Sequence, residues 1–385
     1  MTSAPKSPKD SLSAVAAGGL ALPGSTPPDF RTVATTLLIA SVGGGLFAIA
    51  GAPLAWMLGA MFITTGVAMA GLAKLGIYAW LRTTMIAVLG VMLGSAFTPE
   101  LLSQMLGWWP DVLVLAVFIA FVTATGFIVF RYGAGYDTTT AYFSATPGGL
   151  SEMAIMGHEL GADIRTISLI HATRILVVVA TIPVYFRVVE GLEIPALPRN
   201  VGSLIDLGIY EAVMLSGCAL LGVPLGRISR VPAGSLIGPM VLSAAVHLAG
   251  LSSGKPPAEI VAAAQVVVGA SIGCRFAGLT LADARKIISA GLISGLLMVI
   301  AAALAAYSLS AFLDRPVEVL VLSFAPGGLA EMALIALILG IDTAFVSAMH
   351  VLRIAMVVIG APVVFRLMGV ESGKSDTIKS ETIED

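Results

Sequence analysis

The chain has 385 residues, of which 57% are hydrophobic and only 11% are charged, and its formal net charge is −2. An ordinary soluble protein carries about 25% charged residues, so this composition excludes a water-soluble domain protein and predicts helices that face lipid. The small net charge does not favour a nucleic-acid or other polyanionic partner.

Polar segments are expected at both ends of the chain. Residues 1–32 are rich in Pro, Ser and Lys, which is typical of a disordered tail, and residues 371–385 form a second, charged tail. Between the tails we expect a membrane domain at 33–190, a linker at 191–206 and a second membrane domain at 207–370.

Twelve hydrophobic stretches follow one another between the tails, and a helix needs about 20 apolar residues to cross a bilayer. The stretches lie near residues 33–51, 54–73, 83–98, 111–131, 140–160, 166–186, 208–223, 232–250, 260–276, 287–307, 317–339 and 344–365. Only helices and closed barrels satisfy their backbone in lipid, and these stretches show no alternation of period 2. The sequence therefore predicts an all-α, polytopic transmembrane bundle of about 10–12 helices.

The two membrane domains repeat each other at one constant offset, which takes Pro147 to Pro326 and His171 to His350. Between 147–187 and 326–366, 20 of 41 positions are identical without a gap. The shared motifs are Pro-Gly-Gly-Leu-x-Glu-Met-Ala, Gly-x-Asp, His-x-x-Arg and Pro-Val-x-Phe-Arg. Because each unit is far longer than a solenoid repeat, we expect two homologous repeats, each with one helix broken at Pro-Gly-Gly.

The distribution of Lys and Arg favours repeats of opposite orientation, because cytoplasmic loops carry an excess of these residues. Inverted halves place 15 of the 21 inside, 4 outside and 2 in the membrane, whereas parallel halves give 13, 6 and 2. Inversion needs an odd number of crossings per half, so segments 140–160 and 317–339 would dip into the membrane and return. Parallel six-span halves are the alternative. Either way, both termini are expected in the cytoplasm of a multi-pass protein of the cell inner membrane.

Polar residues that recur at membrane depth form the candidate substrate- or ion-binding site. They are Pro147, Gly148, Gly149, Glu152, His171 and Arg174, with their counterparts Pro326, Gly327, Gly328, Glu331, His350 and Arg353. Pro and Gly break a helix, and the freed backbone groups must face protein or water. Paired broken helices point to a transporter binding site; close packing of helices through glycine is the alternative.

The charged residues near the breaks have two interpretations. Ionisable residues at this depth usually face a cavity or a partner, so Glu152 and Glu331 would carry coupling protons or Na⁺. They could equally form structural ion pairs with Arg174 and Arg353. The spacing of His-x-x-Arg puts both side chains on one helical face, where the guanidinium could hold a carboxylate or oxyanion and the histidine could titrate near neutral pH.

Signals of catalysis are missing from the sequence, which has no Walker loop, dinucleotide fingerprint, HExxH or CxxC motif. Its four histidines do not cluster, and no DNA-binding motif or zinc spacing is present. We therefore expect no enzyme activity, no cofactor, no metal and no nucleic-acid partner. Asp163 and Asp342 precede the next helices and are predicted to be helix N-caps.

The doubled module with Pro-Gly-Gly-Leu-x-Glu-Met and a downstream His-x-x-Arg resembles the bacterial AbrB family of membrane proteins, over roughly residues 33–370. This family is distinct from the small DNA-binding protein of the same name. Its members carry labels for regulation of gene expression and for ammonia monooxygenase, and the residues above support neither label directly. Single-copy members would have to dimerise, and a homodimer is a further expectation for this chain.

The leading hypothesis is a secondary transporter or exporter of a small anionic or zwitterionic solute, coupled to protons or Na⁺. Its partners would be the lipid bilayer and a small-molecule or ion substrate. The alternative is a membrane sensor or regulator that affects gene expression indirectly, through a partner protein bound to the cytoplasmic tails.

Overall fold

The computed structural model describes residues 27–99, 104–192, 195, 202–279 and 281–369. Within these residues the chain forms fourteen α-helices. They are α1 (Phe30–Ile49), α2 (Ala55–Ala70), α3 (Ala79–Gly94), α4 (Trp109–Ile128), α5 (Thr138–Ala145), α6 (Leu150–Glu159), α7 (Ile164–Val188), α8 (Ile209–Ile228), α9 (Gly234–Leu248), α10 (Ala258–Gly273), α11 (Leu281–Leu313), α12 (Val317–Phe324), α13 (Leu329–Leu339) and α14 (Thr343–Leu367). Residues 1–26 and 371–385 of the predicted tails and half of the predicted linker lie outside the described residues.

The protein is a multi-pass membrane protein, as predicted. In the part of the chain that the structure describes, seven helices are long and apolar enough to cross a bilayer, and four shorter ones are also apolar. Helix α1 exposes Leu38, Val42, Leu46 and Ile49, which recur about once per turn and form one stripe. An exposed apolar stripe of this kind is suited to lipid and would be costly in water.

Except for α4 and α11, the helix bounds of the second half follow those of the first at one offset to within one residue. The shift from Phe30–Ile49 to Ile209–Ile228 equals the shift from Ile164–Val188 to Thr343–Leu367, at both ends of the helices, and it is the offset of the sequence repeat. The count exceeds the predicted 10–12 helices because stretches 140–160 and 317–339 each divide into two short helices.

The segment 138–159 is a hairpin that enters the bundle and returns. Thr140, at the start of α5, accepts a hydrogen bond at 3.0 Å from the backbone amide of Asp163, which follows the end of α6. Further in, a Cβ on Gly157 would lie 3.3 Å from the Cβ of Phe143. The beginning of α5 therefore lies beside the end of α6, and the Pro-Gly-Gly break forms the tip. Helices α12 and α13 pack against each other in the corresponding place.

Close glycine contacts join neighbouring helices and also reveal their directions. A Cβ on Gly269 of α10 would touch Ala60 of α2, and one on Gly273 would touch Thr64. Because the contact positions rise together along both chains, α2 and α10 run parallel. The same construction pairs Gly90 of α3 with Leu236 and Gly94 with Met240, so α3 and α9 are parallel as well.

Helices α3 and α10, and helices α4 and α11, contact each other at opposite ends. Arg82 Nε, near the start of α3, donates to Ser271 Oγ near the end of α10 over 3.2 Å. Asp111, at the start of α4, accepts from Arg315 Nε, just beyond the end of α11, over 3.1 Å. Each contact joins the beginning of one helix to the end of its counterpart in the other half.

The crossing of α1 and α2 depends on glycine at position 43. A side chain there would collide with the backbone carbonyl of Gly59, whereas Gly45 on the same helix has open space around it. We expect Gly43→Val to lower stability by about 1–3 kcal/mol, since overpacking forces the helices apart. Gly45→Val is the matched control. Thermal unfolding of the detergent-solubilised protein measures the difference, and equal melting temperatures would contradict this packing.

Candidate functional site

Each hairpin tip places a helix end inside the protein. Gly149 and Gly328 are the extended N-cap residues of α6 and α13, and Pro147 and Pro326 before them are buried. The first turn of a helix has backbone amides without intrahelical partners, and the last turn of the preceding helix has free carbonyls. Two such breaks therefore place backbone donors and acceptors in the interior, where they need partners from elsewhere in the protein.

The first His-x-x-Arg motif holds the carbonyl side of its break. His171 Nε2 lies 2.9 Å from the carbonyl oxygen of Phe143, and Arg174 donates to the carbonyl of Thr146 over 3.4 Å. Arg174 Nη2 also lies 3.3 Å from His171 Nδ1. Since a carbonyl only accepts, Nε2 carries the proton and Nδ1 accepts from the arginine. The imidazole is therefore neutral and fixed in one tautomer.

The second motif holds its break differently. Arg353 donates to the carbonyls of Ala325 at 2.7 Å and Gly327 at 2.8 Å. His350 is fully buried, and neither of its ring nitrogens has a hydrogen-bond partner. The same sequence motif thus takes two arrangements: histidine and arginine share the contact in the first half, and arginine alone makes it in the second.

The arginines of the motifs bind backbone and not carboxylates. Among the residues that the structure describes, Arg174 forms no ion pair with Glu152, and Arg353 forms none with Glu331; the ion pair found there joins Arg315 and Asp111. The structural ion pair considered as an alternative for these arginines is therefore not the observed arrangement.

The two glutamates fold back onto the N-cap glycines of their own helices. A Cβ on Gly149 would collide with the carboxylate of Glu152, and one on Gly328 with that of Glu331. A carboxylate three residues into a helix is stabilised by the positive end of the helix dipole. Glu152 Oε1 also accepts from the backbone amide of Ala233, over 3.3 Å, at the start of α9. Glycine at each N-cap is needed for these carboxylate positions.

The site is shared between the two halves of the chain. Tyr142 on α5 donates to the carbonyl of Ala361 on α14 over 3.0 Å, and a Cβ on Gly148 would touch Val357 on the same helix. Helix α13 packs in turn against α7 and α3 of the first half. Neither half alone could complete the surroundings of its own hairpin tip.

Two arginines near the site occur in one half only, so a comparison of the two repeats does not identify them. Arg82 on α3 is close enough to Glu152 and Glu331 to interact with them electrostatically, and Arg275 is close enough to interact in the same way with Arg82. The positions that correspond to them in the other half hold Val261 and Ala96, so neither arginine recurs. The signal that could have found Arg275 was its position inside the apolar stretch 260–276, where a charge is costly.

The remaining sequence candidates have local roles. Asp163 and Asp342 are N-caps, as predicted: they accept from the amides of Arg165 and Phe345, each at 3.0 Å. Within the described ranges, no group of three His, Cys, Asp or Glu residues is placed to hold a metal ion.

We expect removal of the Arg353 guanidinium to cost more stability than removal of that of Arg174. Arg353 makes two short bonds to buried carbonyls, whereas Arg174 makes one bond of 3.4 Å to a carbonyl and one of 3.3 Å to His171. A charged hydrogen bond contributes about 1.5–3 kcal/mol. Arg353→Gln should therefore lower the melting temperature in detergent more than Arg174→Gln. Exposed Arg366→Gln is the control. A larger drop in melting temperature for Arg174→Gln than for Arg353→Gln would contradict the hydrogen bonds described above.

Comparison with known proteins identifies the family. A family model described as "Transition state regulatory protein AbrB" matches residues 56–369. The chain is 28% identical over 368 residues to "Uncharacterized protein YhjN" of Bacillus subtilis (strain 168), covering 89% of this chain and 95% of that protein. It is 26% identical over 291 residues to "Putative regulator AbrB" of Escherichia coli (strain K12), covering 75% and 82%. With most of its length matched, the chain belongs to the AbrB family of membrane proteins.

Proposed function

We propose that the protein is a secondary transporter of a small anionic or zwitterionic solute, coupled to protons or Na⁺. The observation that carries this proposal is the pair of hairpins whose broken tips lie inside the bundle. Broken helices present amides and carbonyls to a substrate, and in transporters they occur in pairs at corresponding positions of two halves. No enzyme activity is part of this proposal.

The scaffold proposed for this activity consists of two inverted repeats. Support comes from the shared spacing of the helix bounds outside α4 and α11, and from the contacts that join α3 to α10 and α4 to α11 at opposite ends. If α5–α6 and α12–α13 enter and return, each half has five crossings. An odd number of crossings turns the second half upside down and brings the two hairpins in from opposite faces.

The positive charges support a cytoplasmic position for both termini. In this topology the face where α1 begins carries eleven of the described Lys and Arg residues outside the two His-x-x-Arg motifs, and the opposite face carries three. The first group is Arg31, Lys74, Arg82, Arg131, Arg165, Arg227, Arg230, Arg275, Arg285, Lys286 and Arg366, and the second is Arg187, Lys255 and Arg315. By the positive-inside rule, the first face is cytoplasmic.

Glu152 and Glu331 are the proposed coupling residues. Each carboxylate lies at a hairpin tip, and both are within Coulombic range of Arg82. Exchange of a proton or Na⁺ at either position would change the charge balance of the site at the point where the solute enters. The motif arginines, in contrast, are proposed to keep the broken backbone in place.

A second candidate is a membrane sensor or regulator acting through a partner protein. The word "regulator" in the name of the Escherichia coli relative and "regulatory" in that of the family model favour it. Residues 1–32 and 371–385 would have to bind the partner. Deleting both tails should then abolish a regulatory phenotype while leaving transport intact. A regulatory phenotype that persists without the tails would remove this candidate.

Sidedness tests the inverted arrangement directly. In a background without Cys218 and Cys274, single cysteines replace exposed Ile205 before α8 or exposed Ser229 after it. We expect a membrane-impermeant thiol reagent to label Ile205→Cys in intact cells and Ser229→Cys only after permeabilisation. Labelling of Ser229→Cys alone in intact cells is the result expected of parallel six-span halves with a cytoplasmic amino terminus, and it would overturn the proposed topology.

Coupling is tested in proteoliposomes that contain a trapped pH indicator, by adding acetate, succinate, glutamate or phosphate. We expect at least one of these anions to drive proton movement, and Glu152→Gln to abolish it while the protein elutes as a folded species. Glu159→Gln changes the same charge on the exposed end of α6 and should leave the flux intact. Loss of folding in Glu152→Gln alone would favour a structural role.

If sodium is the coupling ion, the same anions should move only with an inward sodium gradient. Replacing sodium by choline would then stop uptake of the radiolabelled anion in wild type. The absence of solute-driven movement under both gradients would overturn the proposed activity.

A further inference from the structure

Arg275 lies in a 3₁₀ turn, Cys274–Phe276, that directly follows α10. Its side chain is partly covered, and the Nη1 atom is buried without a hydrogen-bond partner. A buried charged donor that lacks a partner is costly, because it has lost its water and gained nothing in exchange. A donor of this kind is available to an acceptor that enters from outside the protein.

The surroundings of Arg275 add to this cost. Arg82, a second partly covered arginine, lies within Coulombic range, and so does His171 of the first His-x-x-Arg motif. The side chain of Arg82 is turned toward the same helix, since its Nε donates to Ser271 Oγ one turn before Arg275. Among the described residues, Glu152 and Glu331 interact electrostatically with Arg82, and Arg82, His171 and the Cys274 thiol interact electrostatically with Arg275.

We infer that Arg275 binds the anionic group of the solute, a carboxylate or a phosphate-like oxyanion, with Arg82 beside it. This inference rests on the proposed transport function and names the chemistry that the site selects. A guanidinium presents several donors to a planar or tetrahedral anion, and a negative charge would reduce the repulsion between the two arginines. The orphaned donor of Arg275 is the place that such a group fills.

The assignment also gives the site a direction. Arg82 and Arg275 have no counterparts in the other half, so the anion site is built on one side of an otherwise repeated scaffold. Binding of the coupling ion and binding of the anion are linked through the carboxylates that interact with Arg82. Loss of negative charge at Glu152 or Glu331 would strengthen binding of the anion. Solute and coupling ion would then bind cooperatively.

The test is equilibrium binding on the full-length protein in lipid-free detergent, followed by thermal unfolding. Sodium phosphate, acetate and succinate are titrated against sodium chloride of equal ionic strength. We expect at least one of them to raise the melting temperature of wild type and Arg275→Gln to weaken its apparent affinity about tenfold or more, as for loss of a charged hydrogen bond. Exposed Arg285→Gln removes the same charge a short way along the chain and should bind like wild type.

The unliganded variants provide a second readout. In chloride alone, Arg275→Gln should melt no lower than wild type, because it removes an unpaired buried donor. A lower melting temperature together with unchanged anion affinity would show that Arg275 only packs, and no response of wild type to any of the soluble anions would also overturn the inference. Restoration of a response only by vesicles containing phosphatidylglycerol would assign the site to a lipid headgroup instead.

The outcomes separate this inference from the transport proposal. Anion binding that depends on Arg275, without flux in proteoliposomes, would keep the anion site and reject transport. Solute-driven flux that persists at wild-type level in Arg275→Gln would keep transport and reject the role of Arg275.

Discussion

The backbone carbonyls and amides at the helix breaks must find hydrogen-bond partners at membrane depth, and the rest of the structure depends on this constraint. Pro-Gly-Gly frees carbonyls on one side of each break and amides on the other, and lipid can satisfy neither. Arg353 takes the carbonyls of Ala325 and Gly327, and Glu331 lies against the N-cap at Gly328. The distant motifs Pro-Gly-Gly, Glu and His-x-x-Arg therefore form one unit, in which each part completes the hydrogen bonding of another.

The two copies of this unit are held differently, although their sequences agree. In the first half His171 binds a carbonyl and Arg174 reaches its own at 3.4 Å; in the second, Arg353 makes two short bonds and His350 has no partner. Because the residues are identical, the two arrangements represent two conformations that the same motif can adopt. In an inverted scaffold, exchanging the two arrangements would exchange the face from which the site is reached.

Much of the fold could be predicted from the sequence, because membrane helices are specified by long apolar stretches and the repeat was visible in identical residues. The division of 140–160 into two helices followed from Pro147 and the glycines, whereas the return of the segment was expected only from the charge distribution, as one of two alternatives. That return is shown by the bond between Thr140 and Asp163, a tertiary contact with no local signal. The partners of Arg174 and Arg353 were equally hidden, since carbonyl acceptors are present at every residue.

Arg82 and Arg275 do not recur in the other half, so the repeat in the sequence does not point to them. Searching for residues common to both halves finds what builds the scaffold, because both halves must solve the same backbone problem. Residues that occur in one half only can give a site a polarity that the repeated sequence does not supply. Arg275, a partly buried arginine with an unpaired donor and a like-charged neighbour, has the properties of such a residue.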